Sequence, residues 1–352
     1  MNQWSSQLKY DPVKPLLASG NAAIAYFTER DLLDRDVGSI KTVWNLPEVG
    51  KIIRKQQADG SWKSGKSKAR LGWKAGLVET WRQLRFLIDQ YEVDKTHPAL
   101  QKAAEFVFSC QSDEGDFRGI LANQYAPYYT GALLYLLIKA GYQEDPRVDK
   151  GMQWLLKMRQ DDGGWVIGSP GMIRCTWNEV CALTSRWTDE PEKRFDRAAP
   201  FSAAGTGMAI RAFTVHPAYC HSEQAMKAAS LLKSKFLKKD NWSWYEHADN
   251  WVRFQFPYWW NQLLSALDAI SLIGVPKEDG DIRSALQWFI DNQQRDGLWK
   301  VSYSKIHKTS ERDQTSEMRL WITLTICRTL KRMISGSDPI LSYLDSQSKT
   351  AG

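Results

Sequence analysis

No run of about 18 apolar residues occurs anywhere in the chain, which excludes a membrane-spanning helix. The opening residues, MNQWSSQLKYDPVK, lack the apolar core of a secretory signal, so the reading is against secretion. Cysteine is scarce and odd in number: Cys110, Cys175, Cys181, Cys220 and Cys327 follow no regular spacing. That pattern fits free thiols in a reducing cytoplasm better than a disulfide framework. Strand signals are nearly absent too, which leaves helices as the expected building material. The net charge of +7 comes from lysines that are scattered, apart from short runs such as KSGKSKAR. With no zinc-finger spacing, RNA-recognition signature or basic helical stripe, nucleic acid is not an expected partner. The sign of the charge is compatible with peripheral contact with a membrane or with a phosphorylated ligand.

What the chain has in excess is tryptophan, 17 among 352 residues. Such an excess needs many equivalent structural positions, an aromatic-lined cavity, or both. Equivalent positions are visible at once. The phrases KQQADGSW, CQSDEGDF, RQDDGGW and NQQRDGLW end at Trp62, Phe117, Trp165 and Trp299. A further unit with a degenerate turn is expected around Trp244, which lies 55 residues before Trp299. Each turn follows an amphipathic helical pattern; PRVDKGMQWLLKMRQ, for instance, places Val148, Met152, Leu155 and Met158 on one face. Each is followed by a more apolar segment, such as PYYTGALLYLLIKAG or FSAAGTGMAIRAFTV.

Apolar helices that alternate with amphipathic ones must be covered on both sides. An inner ring within an outer ring meets that demand, and six pairs suffice to close it. The expectation is therefore all-α, a single α6/α6 toroid over 1–352 with repeats from about 16 to 333. Residues 166–203 form a long insertion after the third turn and read as a lid over one mouth.

A glutamine, a glycine and an aromatic after an amphipathic helix resemble the QW repeat of squalene–hopene and oxidosqualene cyclases. The stretch GDFRGILANQYAPYYTGALLYLLIKAG also resembles the repeat of protein prenyltransferase β subunits. The resemblance implies an α/α toroid with an apolar central cavity and an isoprenoid or other apolar small molecule as ligand. The turn itself needs no chemistry to explain it. Glycine accepts positive φ, Gln57, Gln111, Gln160 and Gln294 are placed to satisfy carbonyls, and the ring fastens neighbouring repeats.

The chemistry that the resemblance implies is harder to place. The cyclases use an Asp-x-Asp-Asp acid, and here the nearest string, Asp34-Arg35-Asp36-Val37, lacks the third acid. Asp279-Gly280-Asp281 opens a helical pattern, where an N-cap is the better reading. Candidate catalytic carboxylates are Glu179, Asp196 and Asp249, with a salt-bridged or solvated acid as the plain alternative for each. The zinc triad of the prenyltransferases is missing. Cys175, Cys181, His216, Cys220 and His221 match no zinc spacing, so neither metal nor other cofactor is expected.

By the repeat alignment, Trp73, Trp81, Tyr125, Tyr128, Tyr129, Trp177, Tyr258, Trp259, Trp260 and Trp321 fall near the heads of the apolar helices. Aromatic faces there suit a carbocation, passive burial of an isoprenoid chain, or simple filling of the core. Arg70, Lys74, Arg174, Arg253 and Arg319 lie near the same ends and could hold a diphosphate. Two readings follow: a terpenoid cyclase or prenyltransferase relative, and a non-catalytic binder or scaffold on the same barrel.

Overall fold

The computed structural model describes residues 4–63, 74–121, 123–167, 196–240, 247–305 and 316–335. They gather into two compact units. The first comprises Met1–Val43, Pro217–Lys238 and Ala248–Gly352; the second comprises Trp44–His216 and Lys239–His247.

Helices α1 (Val13–Leu17) and α2 (Ala22–Phe27) belong to the first unit. The second unit holds α3 (Pro47–Ile53), α4 (Ala75–Leu84), α5 (Pro98–Phe108), α6 (Pro127–Leu137), α7 (Pro146–Lys157) and α8 (Ala203–Thr214). The first unit resumes with α9 (Glu223–Ser234), α10 (Leu263–Ile273), α11 (Gly280–Asp291) and α12 (Ser316–Ser335). Among the described residues there is no strand, only isolated bridges such as Gln56–Trp62 and Gln111–Phe117 that frame two turns. The all-α class is borne out.

Local chemistry accounts for where the helices begin. Asn21, Asp145, Ser202 and Ser222 cap α2, α7, α8 and α9 through their side-chain oxygens. Proline opens α3, α5, α6 and α7, where a missing N–H costs nothing. Asp279 accepts hydrogen bonds from the N–H groups of Asp281 and Ile282, so the cap expected at that acidic string is there. The apolar helices α2, α4 and α6 each run on into a π-helical turn, at Thr28–Leu32, Arg85–Gln90 and Ile138–Tyr142.

Every residue of α6 and of α8 is buried. The two pack so closely that a Cβ on Gly131 would stand 2.5 Å from the Cα of Ala209. Hence the segments that looked apolar all round are covered all round.

The repeated turns act as joints. Each indole N–H of Trp62, Trp165 and Trp299 donates to a carbonyl ten residues back, on Ile52, Leu155 and Phe289, at 2.8–2.9 Å. Each backbone N–H of Trp62, Phe117, Trp165 and Trp299 donates to a threonine hydroxyl on the next apolar helix. Those threonines are Thr80, Thr130, Thr206 and Thr323, at 2.9–3.1 Å. The ring thus ties the turn to the helix before it, and the main chain ties it to the helix after it.

All four expected glutamines satisfy carbonyls, and in two turns a neighbouring glutamine makes the longer-range bridge. The side chains of Gln57 and Gln294 donate to the local carbonyls of Lys55 and Asn292. The bridging residues are their neighbours: Gln56 reaches Gly60 and Ala99, and Gln293 reaches Gly297 and Tyr10. Gln111 does bridge as expected, to Gly115 and Arg147. In the third turn Arg159 donates to Gly163, and Gln160 reaches the carbonyls of Asp196 and Ala199. In the first, second and last turns the bridging glutamine lies six residues before the aromatic, whereas in the third it is Gln160, five before Trp165.

Glycine is needed here twice over. Gly60 and Gly297 have φ of +86° and +83°, and a Cβ would stand 2.1 Å from the Lys102 carbonyl oxygen and 2.4 Å from that of Asp11. The turn acids are structural as well. Asp59, Asp162 and Asp296 each accept the N–H two residues on, from Ser61, Gly164 and Leu298. In the expected degenerate unit, Trp244 lies outside the described residues. Trp251 is wholly buried there and donates its indole N–H to the Lys238 carbonyl.

Candidate functional site

In the second unit an aromatic set lies along α4 and α6. Tyr128 and Tyr129 have ring centroids 4.4 Å apart, and Trp81 meets Tyr129 edge-on at 5.2 Å. All three are buried. Tyr125 stands apart from them. It is half-buried, packs edge-on against Trp154 at 5.5 Å and donates its hydroxyl to Glu114. Near it an open pocket of about 620 Å³ is lined by Lys74, Cys110, Gln111, Glu114, Arg118 and Asn123, among others. Burial pushes the Cys110 thiol up, which disfavours the thiolate. Arg118 is held in place by Asp116, Glu114 and Asn123.

Beyond the aromatics, on the π-helical ends of α4 and α6 and on α8, lies a buried ionic cluster. Asp89 accepts from the Tyr135 hydroxyl at 2.6 Å and from Lys139 at 2.9 Å. Its other oxygen accepts from Arg211 at 3.3 Å. Burial opposes the Asp89 charge, but Lys139, Arg211 and the tyrosine hydroxyl overcome it and hold the carboxyl below its ordinary range. Arg85, one turn before Asp89, is itself buried, and that burial pulls its guanidinium down to about 9. The sequence carried a signal for this cluster that residue motifs missed. Lys139 and Arg211 are single charges inside otherwise apolar helices, whereas Asp89 shares its helix with Glu79, Arg82 and Arg85.

The first unit has its own aromatic set. Trp321 stacks on Phe256 at 6.0 Å and meets Phe27 at 6.1 Å, while Tyr258 meets Phe256 edge-on at 5.4 Å. The Tyr258 hydroxyl donates to Asp268 at 3.1 Å. Asp268 in turn is ion-paired with Arg332 and accepts from Thr329. Phe256 and Phe27 were not anticipated, because neither belongs to a repeated phrase. Trp259 and Trp260 are half-buried, with the Arg253 guanidinium 6.0 Å from the Trp260 ring.

The remaining sequence candidates fall as follows. Arg319 pairs with Asp296 at 2.8 Å and donates to the Trp299 carbonyl, so it clasps the last turn. Asp249 accepts from Ser304 and from the N–H of Lys305. Asp196 is exposed, and its carboxylate accepts the N–H of Ala198. Asp34 pairs with Lys331, and Asp36 accepts from Gly38. Arg70, Trp73, Arg174, Cys175, Trp177, Glu179 and Cys181 lie outside the described residues, as does most of the insertion. Among the described residues no group of three or more His, Cys, Asp or Glu is placed to hold a metal. No helix among them is long and apolar enough to cross a membrane.

Comparison with known proteins adds to this geometry. Residues 78–186 match the family model of the squalene-hopene cyclase C-terminal domain. The squalene–hopene cyclase of Zymomonas mobilis is 24% identical over 248 residues, covering 63% of this chain and 32% of the relative. That of Bradyrhizobium diazoefficiens is 26% identical over 197 residues, covering 52% of this chain and 26% of the relative. The chain therefore spans about a third or less of the length of the curated relatives it matches. Among solved structures, a protein from Actinoplanes aligns with 84% of this chain and 99% of its own, at 16% identity and a TM-score of 0.31. A type II terpene cyclase from Scytonema, in complex with merosterolic acid A, covers 84% and 97% at 12% identity and a TM-score of 0.32. The resemblance to squalene–hopene cyclases that the repeated turn carries is borne out, most directly over residues 78–186.

Proposed function

We propose that the protein is terpenoid cyclase-like and binds an isoprenoid, or a similarly apolar small molecule, along the aromatic residues of its apolar helices. The observation that carries the reading is the match of residues 78–186 to the squalene-hopene cyclase C-terminal domain. That span includes Trp81, Tyr125, Tyr128 and Tyr129. Within the first unit Tyr258, Trp259, Trp260 and Trp321 are the corresponding aromatic candidates, with Arg253 beside Trp260 for a polar end of a ligand, while Arg319 is taken up by Asp296 and the Trp299 carbonyl. Burying an isoprenoid chain contributes about 0.8 kcal/mol per CH₂, enough for tight binding without covalent chemistry.

A cyclase further requires a neutral acid in an apolar setting. Of the three sequence candidates, Asp196 is exposed and Asp249 accepts from Ser304 and the Lys305 N–H, and Glu179 lies outside the described residues. One observation favours the second reading, a binder without catalysis. The buried carboxylates among the described residues, Asp89, Asp116 and Asp240, all accept hydrogen bonds, and two of them are ion-paired with lysine or arginine. The experiment is incubation with squalene and with prenyl diphosphates, with and without divalent metal, with binding and product formation both followed. Product supports the cyclase, saturable binding without product supports the binder, and absence of binding to every isoprenoid overturns both.

A further inference from the structure

Resting on the reading of the protein as an isoprenoid binder, we propose that the second unit selects its ligand by charge. It accepts neutral or anionic isoprenoids and rejects those that carry a cationic centre, with Arg85 as the specificity-determining residue. The geometry behind this is the occupation of aromatic faces. A cation is drawn to the face of an aromatic ring within about 6 Å of its centroid. Here the chain's own cations already sit there. The Arg85 guanidinium carbon is 5.0 Å from the Trp81 centroid. Arg211 lies 3.9 Å over Tyr135, and the Lys139 ammonium lies 5.6 Å from the same ring.

Trp81 is in edge contact with Tyr129, which is next to Tyr128. Arg85 therefore borders the aromatic set assigned to the ligand. The charges around it are also unfavourable to another cation. Asp89 is engaged by Tyr135, Lys139 and Arg211. Glu92 acts on Lys139 through space, and Arg82, which acts on Arg85, is ion-paired with Glu79. Arg85, Lys139 and Arg211 thus face Asp89 and Glu92, three cations against two carboxylates. The C-terminal ends of the helices add partial negative charge. That charge steadies the resident cations without vacating the ring faces they cover. Among these buried side chains, a further cation meets repulsion where the aromatic content alone promised attraction.

The test compares four chain-matched ligands: a prenyl alcohol, its monophosphate, a tertiary amine and a quaternary ammonium. Quenching of tryptophan fluorescence reports their binding to the full chain. The alcohol and the phosphate are expected to bind about tenfold more tightly than the quaternary ammonium, a gap of about 1.4 kcal/mol. The tertiary amine should approach the alcohol as the pH rises past the amine's own pKa, while the quaternary ammonium does not. Arg85→Met should close most of the gap and Arg85→Lys should keep it. Equal binding of alcohol and quaternary ammonium to the unmodified protein overturns the proposal, and that comparison needs no variant to fold. Failure of the alcohol itself to bind is a separate result that overturns the isoprenoid reading.

Discussion

The backbone N–H of Trp165 donates to the hydroxyl of Thr206 at 2.9 Å, across 41 residues of chain and in a wholly buried setting. Thr206 also donates to the Trp165 carbonyl at 3.2 Å. Removing the hydroxyl leaves an N–H with no water to replace it. Thr206→Val should therefore cost about 1–3 kcal/mol, and Thr80→Val and Thr323→Val should fall in the same range. Urea denaturation checks this, and values near zero at all three positions would show that the threonines are incidental.

Gly60 and Gly274 have almost the same positive φ, +86° and +87°, but only Gly60 faces a backbone carbonyl where a Cβ would go. Gly274→Ala should carry the conformational penalty alone, about 1–2 kcal/mol. Gly60→Ala should exceed it clearly, since the turn must also part from Lys102. Equal costs would mean that the close approach relaxes freely.

Asp89 ties three helices together through Tyr135, Lys139 and Arg211. Asp89→Ala leaves two cations facing each other, and such a break is expected to cost about 3–5 kcal/mol. Replacing the cluster with Asp89→Leu, Lys139→Met and Arg211→Met together should recover much of that loss. Thermal unfolding of the single and triple variants decides the point, and a triple variant as weak as the single would refute the charge-based account.

His97 caps α5 by accepting the Ala99 N–H at Nδ1, which only a neutral ring can do. Burial lowers its pKa below the ordinary 6.5, and burial lowers that of His216 as well. The unfolded chain therefore binds more protons just below pH 6.5. Stability is complete above that value and is lost as the pH falls toward the folded-state pKa. The urea midpoint should drop between pH 8 and pH 5.5, and His97→Asn, which keeps a cap acceptor, should flatten part of the drop. A midpoint independent of pH in that window would count against it.

The sequence made the helices legible because amphipathic and apolar segments alternate with a glycine turn between them. Trp62, Trp165 and Trp299 announced the joints, and the structure places their indoles as rivets. What fastens each joint on its far side was not legible. Thr80, Thr130, Thr206 and Thr323 are ordinary residues in sequence and acquire meaning only when the turn lies against them. Arg319 looked like a ligand contact by position, but its partner Asp296 is 23 residues away and becomes visible only in three dimensions. The buried charges Lys139 and Arg211 are readable as anomalies in apolar helices, but Asp89, on a helix with Glu79, Arg82 and Arg85, is not, and the three are not readable as a set.

The hydrogen bonds between Tyr10 and Gln293 span 283 residues of chain. The first unit is assembled from three separated stretches, and Tyr10 meets Gln293 only after the residues between them have left the ribosome. The second unit draws most of its residues from one continuous run, Trp44–His216, so its local contacts can form early in synthesis. Until Gln293 and Gly297 emerge, Tyr10 and Asp11 have no turn to dock on. Vectorial synthesis therefore places the docking of Tyr10 on Gln293 after the local contacts of the second unit can already have formed.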